Sequence, residues 1–295
     1  MPSLKEIKTR IKSVKSTQKI TKAMKMVATA RLRRSKEKLI LSREYSLESK
    51  NILRAIATEC EDIAALPLLA RQFLSPQSFA QTLNILVVIT SDKGLCGSMN
   101  GTILKKTKLK ITELQKSGTQ TIIYCIGKKG YDSLKSSLKT QVYNPHVTPS
   151  SNAEFATSEF MSDICKICEA YPEHGISVSA IYSEFLSTVS QAVAESTAFP
   201  LSESSPNSQT SADYATDFPR DSFMEFAIYD YLSSGMQTSI LETITSEQSS
   251  RMMAMDNATN NASRVIQELT LKYNRTRQAN VTREITEIVS GVEAL

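Results

Sequence analysis

The sequence predicts an α/β protein in which the two chain ends form a long two-helix coiled coil and the middle forms an open α/β domain. Helix-breaking residues are nearly absent from both ends, since no proline lies between Pro2 and Pro67 and none follows Pro219. In the middle, strand-like apolar runs alternate with helical patterns, as in an open sheet with covering helices.

The N-terminal segment, residues 1–60, has the apolar spacing of one long helix. Its apolar residues recur three or four positions apart, lysines occupy the other faces, and Ser3 can cap the first turn. The predicted stripe consists of Leu4, Ile7, Ile11 and Val14, followed by Ile20, Met24 and Val27. A helix of about 55 residues would be roughly 80 Å long. It would need a partner helix to be stable.

The C-terminal segment, residues 223–295, supplies that partner. Its apolar positions follow the same spacing, which favours a left-handed coil of two helices. The stripe consists of Ala262, Val265, Leu269 and Tyr273, followed by Ile285, Ile288, Val292 and Leu295. The last turns are too apolar to stand alone in water, so we expect another protein to bury them.

The middle segment, residues 75–200, has the pattern of an open, Rossmann-like α/β domain. The predicted strands are Leu83–Thr90, Thr121–Ile126 and Val178–Phe185, and the predicted helices are Met99–Lys116 and Glu154–Tyr171. Residues 201–222 are rich in serine, proline, asparagine and glutamine. This composition predicts a flexible loop.

Charge is distributed unevenly along the chain. The formal net charge is +5, yet residues 1–50 hold 15 Lys and Arg against four acids, which leaves −6 for the rest. A basic N-terminal segment indicates an acidic partner: nucleic acid, anionic lipid or an acidic protein surface. No aromatic residue precedes Tyr45 to stack on bases. We therefore favour an acidic protein surface, and a coiled coil that binds nucleic acid is the alternative, recognisable by steep salt dependence.

Two motifs could carry chemistry, and each has a simpler structural explanation. The glycine-rich stretch Ser91–Asn100 follows a strand, where phosphate loops lie, but it fits neither common phosphate-binding spacing. Cys165 and Cys168, with His174 nearby, form an incomplete metal-ligand set. Neither histidine lies near a nucleophile signature. We therefore predict no catalytic, cofactor or metal site, and a small nucleotide-dependent enzyme is the second alternative. No apolar run reaches the roughly 18 residues of a membrane span.

Stretches at both ends and in the middle resemble the gamma subunit family of F-type ATP synthases. They are Ser16–Ala28, Ser91–Gly97, Ala254–Thr259, Tyr273–Ala279 and Glu284–Gly291. The resemblance implies an antiparallel coil inside a hexamer of alternating alpha and beta subunits, whose beta subunits bind ATP and carry the catalytic acid. It implies a non-catalytic rotor without cofactor, which couples proton-driven rotation of the c ring to ATP synthesis or hydrolysis.

The resemblance also implies partners and a location. The partners would be the beta subunits chiefly, the epsilon subunit, the c ring and, indirectly, the delta subunit, with no nucleic acid. The chain would lie peripherally on the cytoplasmic face of the bacterial plasma membrane and would not be embedded in it.

The resemblance implies that seven residues contact beta subunits. Arg277 and Gln278 match a contact with a beta loop near the top of the coil, Thr282 and Glu284 follow about a turn later, and Arg251 matches another contact. Met24 and Lys25 lie where the N-terminal helix would face an acidic segment of beta.

Overall fold

The computed structural model describes residues 3–59, 66–137, 143, 148–201 and 220–293. The chain ends form the helices α1 (Leu4–Glu59) and α6 (Arg220–Glu293). Between them, the described residues form four strands, four further helices and a 3₁₀ turn at Pro76–Ser78. The strands are β1 (Gln81–Ile89), β2 (Gln120–Ile126), β3 (His174–Phe185) and β4 (Gln191–Phe199), and the helices are α2 (Leu68–Leu74), α3 (Met99–Lys116), α4 (Lys128–Ser137) and α5 (Ala153–Ala170).

The four strands form one sheet in the order β2-β1-β3-β4. β1 pairs in parallel with β2 and β3, whereas β4 pairs antiparallel with β3 at the edge. β1 is buried along Leu83–Ile89 because helices cover both faces of the sheet, which explains its unbroken apolar run. On one face, α3 and α4 pack over β1 through a core that includes Ile103 and Leu134.

The sequence predictions of a helix at each end and of an open α/β sheet are confirmed. All three predicted strands are present, and the predicted helices agree with α3 and α5 to within one residue. Three elements were not predicted: the edge strand β4 and the helices α2 and α4. Most of the predicted loop, residues 202–219, lies outside the described residues. Its last part was wrong, because α6 already begins at Arg220.

At the junction between β2 and α4, the backbone passes close to the backbone of Thr90. Gly127 has φ of +96°, and a Cβ there would lie 2.1 Å from the carbonyl oxygen of Thr90. Only glycine fits such a position without moving the backbone. Thr90 also contacts α4, because its hydroxyl oxygen accepts a hydrogen bond of 2.8 Å from the Gly130 amide.

The chain divides into two compact units that do not coincide with the predicted segments. Residues 1–30 and 251–295 form the first unit, and residues 31–250 form the second. The first unit contains the beginning of α1 and the later part of α6, while the second contains the sheet and the remaining residues of both helices. No helix in the described residues combines the length and apolarity that a membrane crossing requires.

Candidate interaction surface of the paired chain ends

The first unit is an antiparallel helix pair joined by polar contacts. Three side-chain pairs cross between the helices, and the residue numbers of each pair add up to 280 or 281. They are Gln18 with Ser263 at 2.7 Å, Thr21 with Thr259 at 2.8 Å and Lys25 with Asp256 at 2.6 Å. A constant sum means that one helix runs against the other in a fixed register.

The beginning of α1 is capped reciprocally. The Ser3 hydroxyl accepts from the Glu6 amide at 3.3 Å, and the Glu6 carboxylate accepts from the Ser3 amide at 3.0 Å. This capping box satisfies two of the amide groups that a helix N-terminus leaves without partners. The predicted capping role of Ser3 is therefore confirmed.

The contact face of α1 differs from the predicted apolar stripe. Ile7 and Ala28 are buried as the helical period requires, but Ile20 is 58% exposed and Val27 52% exposed. Steps of three and four from Val14 lead through Gln18 and Thr21 rather than through Ile20. Ile20 and Val27 were therefore wrong, because polar side chains occupy the contact face there, whereas Met24 is half-buried as the stripe predicted.

A similar correction applies to α6. Ala262 is buried, but the predicted Val265 is 37% exposed, and Ile266 next to it is half-buried instead. Leu269 and Tyr273 are half-buried, as the stripe predicted. The contact face is therefore narrow and partly polar, like that of α1.

The end of α6 extends beyond α1. With paired numbers that add up to about 280, Leu4 lies level with residue 277, so later residues have no part of α1 beside them. We call residues 281–293 the overhang; it is about 20 Å long at 1.5 Å per residue. Its residues 281–290 are all exposed. The exposed apolar side chains of the overhang are Val281, Ile285, Ile288, Val289 and Val292.

Four of the seven predicted contact residues lie at or near the overhang. Arg277, Gln278, Thr282 and Glu284 are exposed, and the Thr282 hydroxyl donates to the Gln278 carbonyl at 3.0 Å. The structure thus brings these four together within about two helical turns. Their side chains are available to a partner at the point where the helix pair ends.

The other three predicted residues lie elsewhere and differ in exposure. Met24 is half-buried. Lys25 pairs with Asp256, and their side chains are 40% and 45% exposed, so part of its charge is already compensated within the chain. Arg251 is only 9% exposed and offers a partner little of its side chain.

Exposed apolar residues on the outer face of α1 were not predicted from the sequence. Ile20, Met26 and Val27 are 52 to 61% exposed and lie near Lys25. An apolar residue off the contact face is a signal for partner contact when several occur together. The helical period would have predicted that these side chains are exposed if Thr21 and Lys25 had been assigned to the contact face.

The two motifs considered as chemical sites have structural roles. In the glycine-rich stretch, the Asn100 side chain bonds both the amide and the hydroxyl of Ser91. Gly97, with φ of +60°, would place a Cβ only 3.1 Å from the Ser250 hydroxyl oxygen of α6. The turn thus packs closely against the chain's own helix.

Cys165 and Cys168 lie within α5, half-buried and buried respectively. Burial raises the pKa of Cys168 to about 12, which keeps its thiol protonated at neutral pH. Among the described residues, no three His, Cys, Asp or Glu side chains are placed to hold a metal ion.

Comparison with known proteins covers the whole chain. A family model described as ATP synthase matches residues 3–295. The ATP synthase gamma chain of Pelagibacter ubique is 37% identical over 298 residues, and that of Rhodospirillum rubrum is 36% identical over 308, each alignment covering 100% of both chains. This chain belongs to the ATP synthase gamma-chain family. The resemblance inferred from the sequence motifs is thereby confirmed.

Solved structures share the gamma-chain fold. A chain of the Euglena gracilis mitochondrial ATP synthase matches with a TM-score of 0.62 and 16% identity, covering 99% of this chain and 94% of that one. A chain from the central stalk and c ring of the Tetrahymena thermophila enzyme matches with a TM-score of 0.54 and 22% identity, covering 81% and 99%. These two chains therefore share the fold of this chain.

Proposed function

We propose that this chain is the central-stalk rotor of a bacterial ATP synthase and has no catalytic residue of its own. It would couple rotation of the proton-driven c ring to ATP synthesis or hydrolysis in a hexamer of alternating alpha and beta subunits. The observation that carries this proposal is the overhang: an exposed single helix with five exposed apolar side chains that continues an antiparallel pair, in a chain that matches gamma chains over its full length.

The exposed surfaces of the first unit suggest how the hexamer holds the stalk. An apolar tip is suited to a rotating contact, since apolar packing has no preferred direction. Arg277, Gln278, Thr282 and Glu284, exposed beside the tip, would contact beta subunits through directional hydrogen bonds. Such bonds to charged groups contribute about 1.5–3 kcal/mol where water is excluded.

The basic face of α1 suggests an acidic segment as the facing surface of beta. The lysines at positions 5, 8, 12, 15, 19 and 22 are all exposed. Met24 and Lys25 would face that segment as well, and the exposed Met26 and Val27 would add apolar contact. Arg251, largely buried, would add at most an edge contact.

Coupling then follows from the asymmetry of the stalk. Three chemically identical beta subunits would each meet a different face of the helix pair. Because each face interacts differently with the open and closed forms of a beta subunit, rotation would change nucleotide affinity through differential contact free energy. The second unit would meet the epsilon subunit and the c ring, with the delta subunit involved only indirectly, on the cytoplasmic side of the plasma membrane.

Purification of the tagged chain from its native membranes tests the proposed function. We expect the alpha, beta and epsilon subunits and the c ring to copurify, with proton-coupled ATP hydrolysis. Isolation of the chain without alpha and beta subunits would contradict the proposal. Steeply salt-dependent binding of nucleic acid in their place would favour the alternative weighed from the sequence.

The proposed beta contacts are tested in the same complex. Arg277→Ala combined with Gln278→Ala should lower coupled ATP turnover, because contacts made at particular rotational angles are lost. Both side chains are exposed in the free chain, so its melting temperature should remain unchanged. Lys272→Ala, an exposed cation about a turn earlier, is the matched control. Turnover in the double variant equal to that of the control would contradict the assigned contact.

A further inference from the structure

A run of buried polar residues on α6 is the most unusual feature of the second unit. From residue 239 to residue 250, the helix buries serine, threonine, glutamate and glutamine side chains against the α/β sheet. Apolar side chains normally fill such a contact. Polar groups buried in this way indicate specific hydrogen bonds rather than general packing.

Several of these side chains bond backbone atoms near the carboxyl ends of the strands. Ser246 donates to the Ser183 carbonyl at 3.0 Å, and Ser250 donates to the Cys96 carbonyl at 2.6 Å. The helix therefore holds the end of β3 and the turn after β1 at the same time.

This location is the crevice in which open α/β sheets bind ligands. β1 connects through α3 to β2 on one side, while β3 lies on its other side, so the connections diverge between β1 and β3. In folds of this type, ligands occupy the space outside the strand ends at this point. Here α6 lies at that position and bonds the backbone through Ser246 and Ser250.

One charged pair joins both long helices to the sheet. Glu242 of α6, with a side chain only 5% exposed, accepts from the Phe185 amide at 2.8 Å. Arg43 of α1 donates to Glu242 at 2.6 Å and to the Phe185 carbonyl at 3.0 Å. The hydrogen bond to Glu242 raises the pKa of Arg43, so the cation is retained at any physiological pH. We call these two side chains and the Phe185 backbone the clamp.

We propose that Arg43 and Glu242 are positioning residues that transmit torque, because their clamp fixes the end of β3 to both helices of the stalk. The proposal rests on the proposed rotor function. The hydrogen bonds that Ser246 and Ser250 of α6 make to the Ser183 and Cys96 carbonyls come from neutral hydroxyls and are weaker than bonds between charged groups. The clamp combines a buried charge with a forked cation, and it binds both polar groups of one peptide residue.

The two-sided geometry makes a sharp distinction between the clamp and an ordinary ion pair. In the exchange Arg43→Glu with Glu242→Arg, opposite charges still face each other. However, the new cation would meet the Phe185 amide hydrogen and the new carboxylate would meet the Phe185 carbonyl oxygen. Both contacts would be repulsive, so the exchange should not restore function, whereas a simple ion pair would tolerate it.

Lys38 and Glu154 provide the matched control. They join α1 to α5 at 4.0 Å within the same unit, and their side chains are 70% and 75% exposed. The exchange Lys38→Glu with Glu154→Lys should therefore be neutral. Arg43→Lys is the milder variant of the clamp, because it keeps the charge but cannot make both bonds of the arginine fork.

The test measures each variant in the free chain and in the complete ATP synthase. In the free chain, hydrogen exchange of the Phe185 amide should accelerate in the clamp exchange, on the order of 10-fold or more. In the complex, protons pumped per ATP hydrolysed should fall in the clamp exchange, fall less in Arg43→Lys, and stay at the wild-type value in the control.

The outcomes separate the two proposals. If the wild-type chain does not support proton pumping, the rotor function fails and the clamp's role in torque fails with it. If the wild type pumps and Arg43→Lys or the clamp exchange pumps equally well despite faster exchange at Phe185, the clamp is only a local structural contact. If the clamp exchange is too unstable to assemble, the Arg43→Lys variant provides the test. A wild-type number of protons pumped per ATP hydrolysed in that variant would overturn the proposal.

Discussion

Replacing two apolar residues of the overhang by glutamine tests whether other subunits enclose it. Ile285 and Ile288 are 56% and 66% exposed in the chain, and both lie on the side of the overhang that continues to Val292. Complete burial of such a side chain contributes about 1.5–3 kcal/mol, so burial of the exposed part should contribute about 1–2 kcal/mol for each residue. Ile285→Gln with Ile288→Gln should therefore weaken assembly by about 2–4 kcal/mol.

Urea titration of the assembled complex and of the free chain measures this effect. The midpoint for release of the double variant from the complex should fall by about 1–2 M. The free chain should unfold at the same urea concentration as wild type, because both side chains already contact water and glutamine is a good helix former. Thr286→Gln with Glu287→Gln, exposed on the same turn, is the control.

Either of two results would refute this reasoning. A free double variant that unfolds earlier than wild type would mean that the overhang packs within the chain itself. A complex that releases the double variant and the control at the same midpoint would mean that nothing encloses the apolar tip.

Three further predictions concern the chain alone. Gly127→Ala should lower the free energy of unfolding by about 2–5 kcal/mol, because both its positive φ and the close backbone of Thr90 forbid a Cβ. Gly118→Ala, at a positive φ with open space around it, should lower that free energy by only about 1–2 kcal/mol. Equal melting temperatures of the two variants would contradict this prediction. Thr21→Val and Thr259→Val should each lower the free energy of local opening, measured by hydrogen exchange, by about 1 kcal/mol. Strictly additive losses in the double variant would argue against a hydrogen bond between the two hydroxyls. Burial raises the pKa of Tyr182 from 10 to about 12. The stability that this shift contributes is complete below pH 10 and should be lost as the pH rises to 12. A Tyr182→Phe variant that unfolds in alkali just as wild type does would contradict this prediction.

The sheet was largely predictable because its central strands are buried on both faces. Such strands appear in the sequence as unbroken apolar runs, as Leu83–Ile89 does. The edge strand β4 keeps Glu195, Ser196 and Thr197 exposed, so its sequence carries no such run. α4 was missed because Gly130 and several lysines and serines obscure its short apolar face.

The candidate surface was only partly predictable, for a different reason. Apolar periodicity locates a helix contact only where apolar residues fill it, and around Thr21 and Lys25 the contact is made by hydrogen bonds. The residues at the tip, by contrast, were found by motif resemblance. Their exposure in the structure follows from the register of the helix pair, which no local pattern contains.

The clamp had no signal in the sequence. Arg43 and Glu242 are ordinary charged residues of two long helices, about two hundred positions apart. Their importance arises from a third element, because the peptide of Phe185 lies where both can reach it. Contacts that depend on three distant segments can be found only once the fold is known.

The three unlike polar pairs of the first unit also bear on how the chain folds. Its two ends must find one another after most of the polypeptide has been synthesised, and a purely apolar contact would accept several alignments shifted by whole turns. Amide with hydroxyl, hydroxyl with hydroxyl and ammonium with carboxylate form a sequence that matches in one alignment only. A misaligned helix pair would bury donors or charges without partners, so it should dissociate and re-associate in the correct alignment.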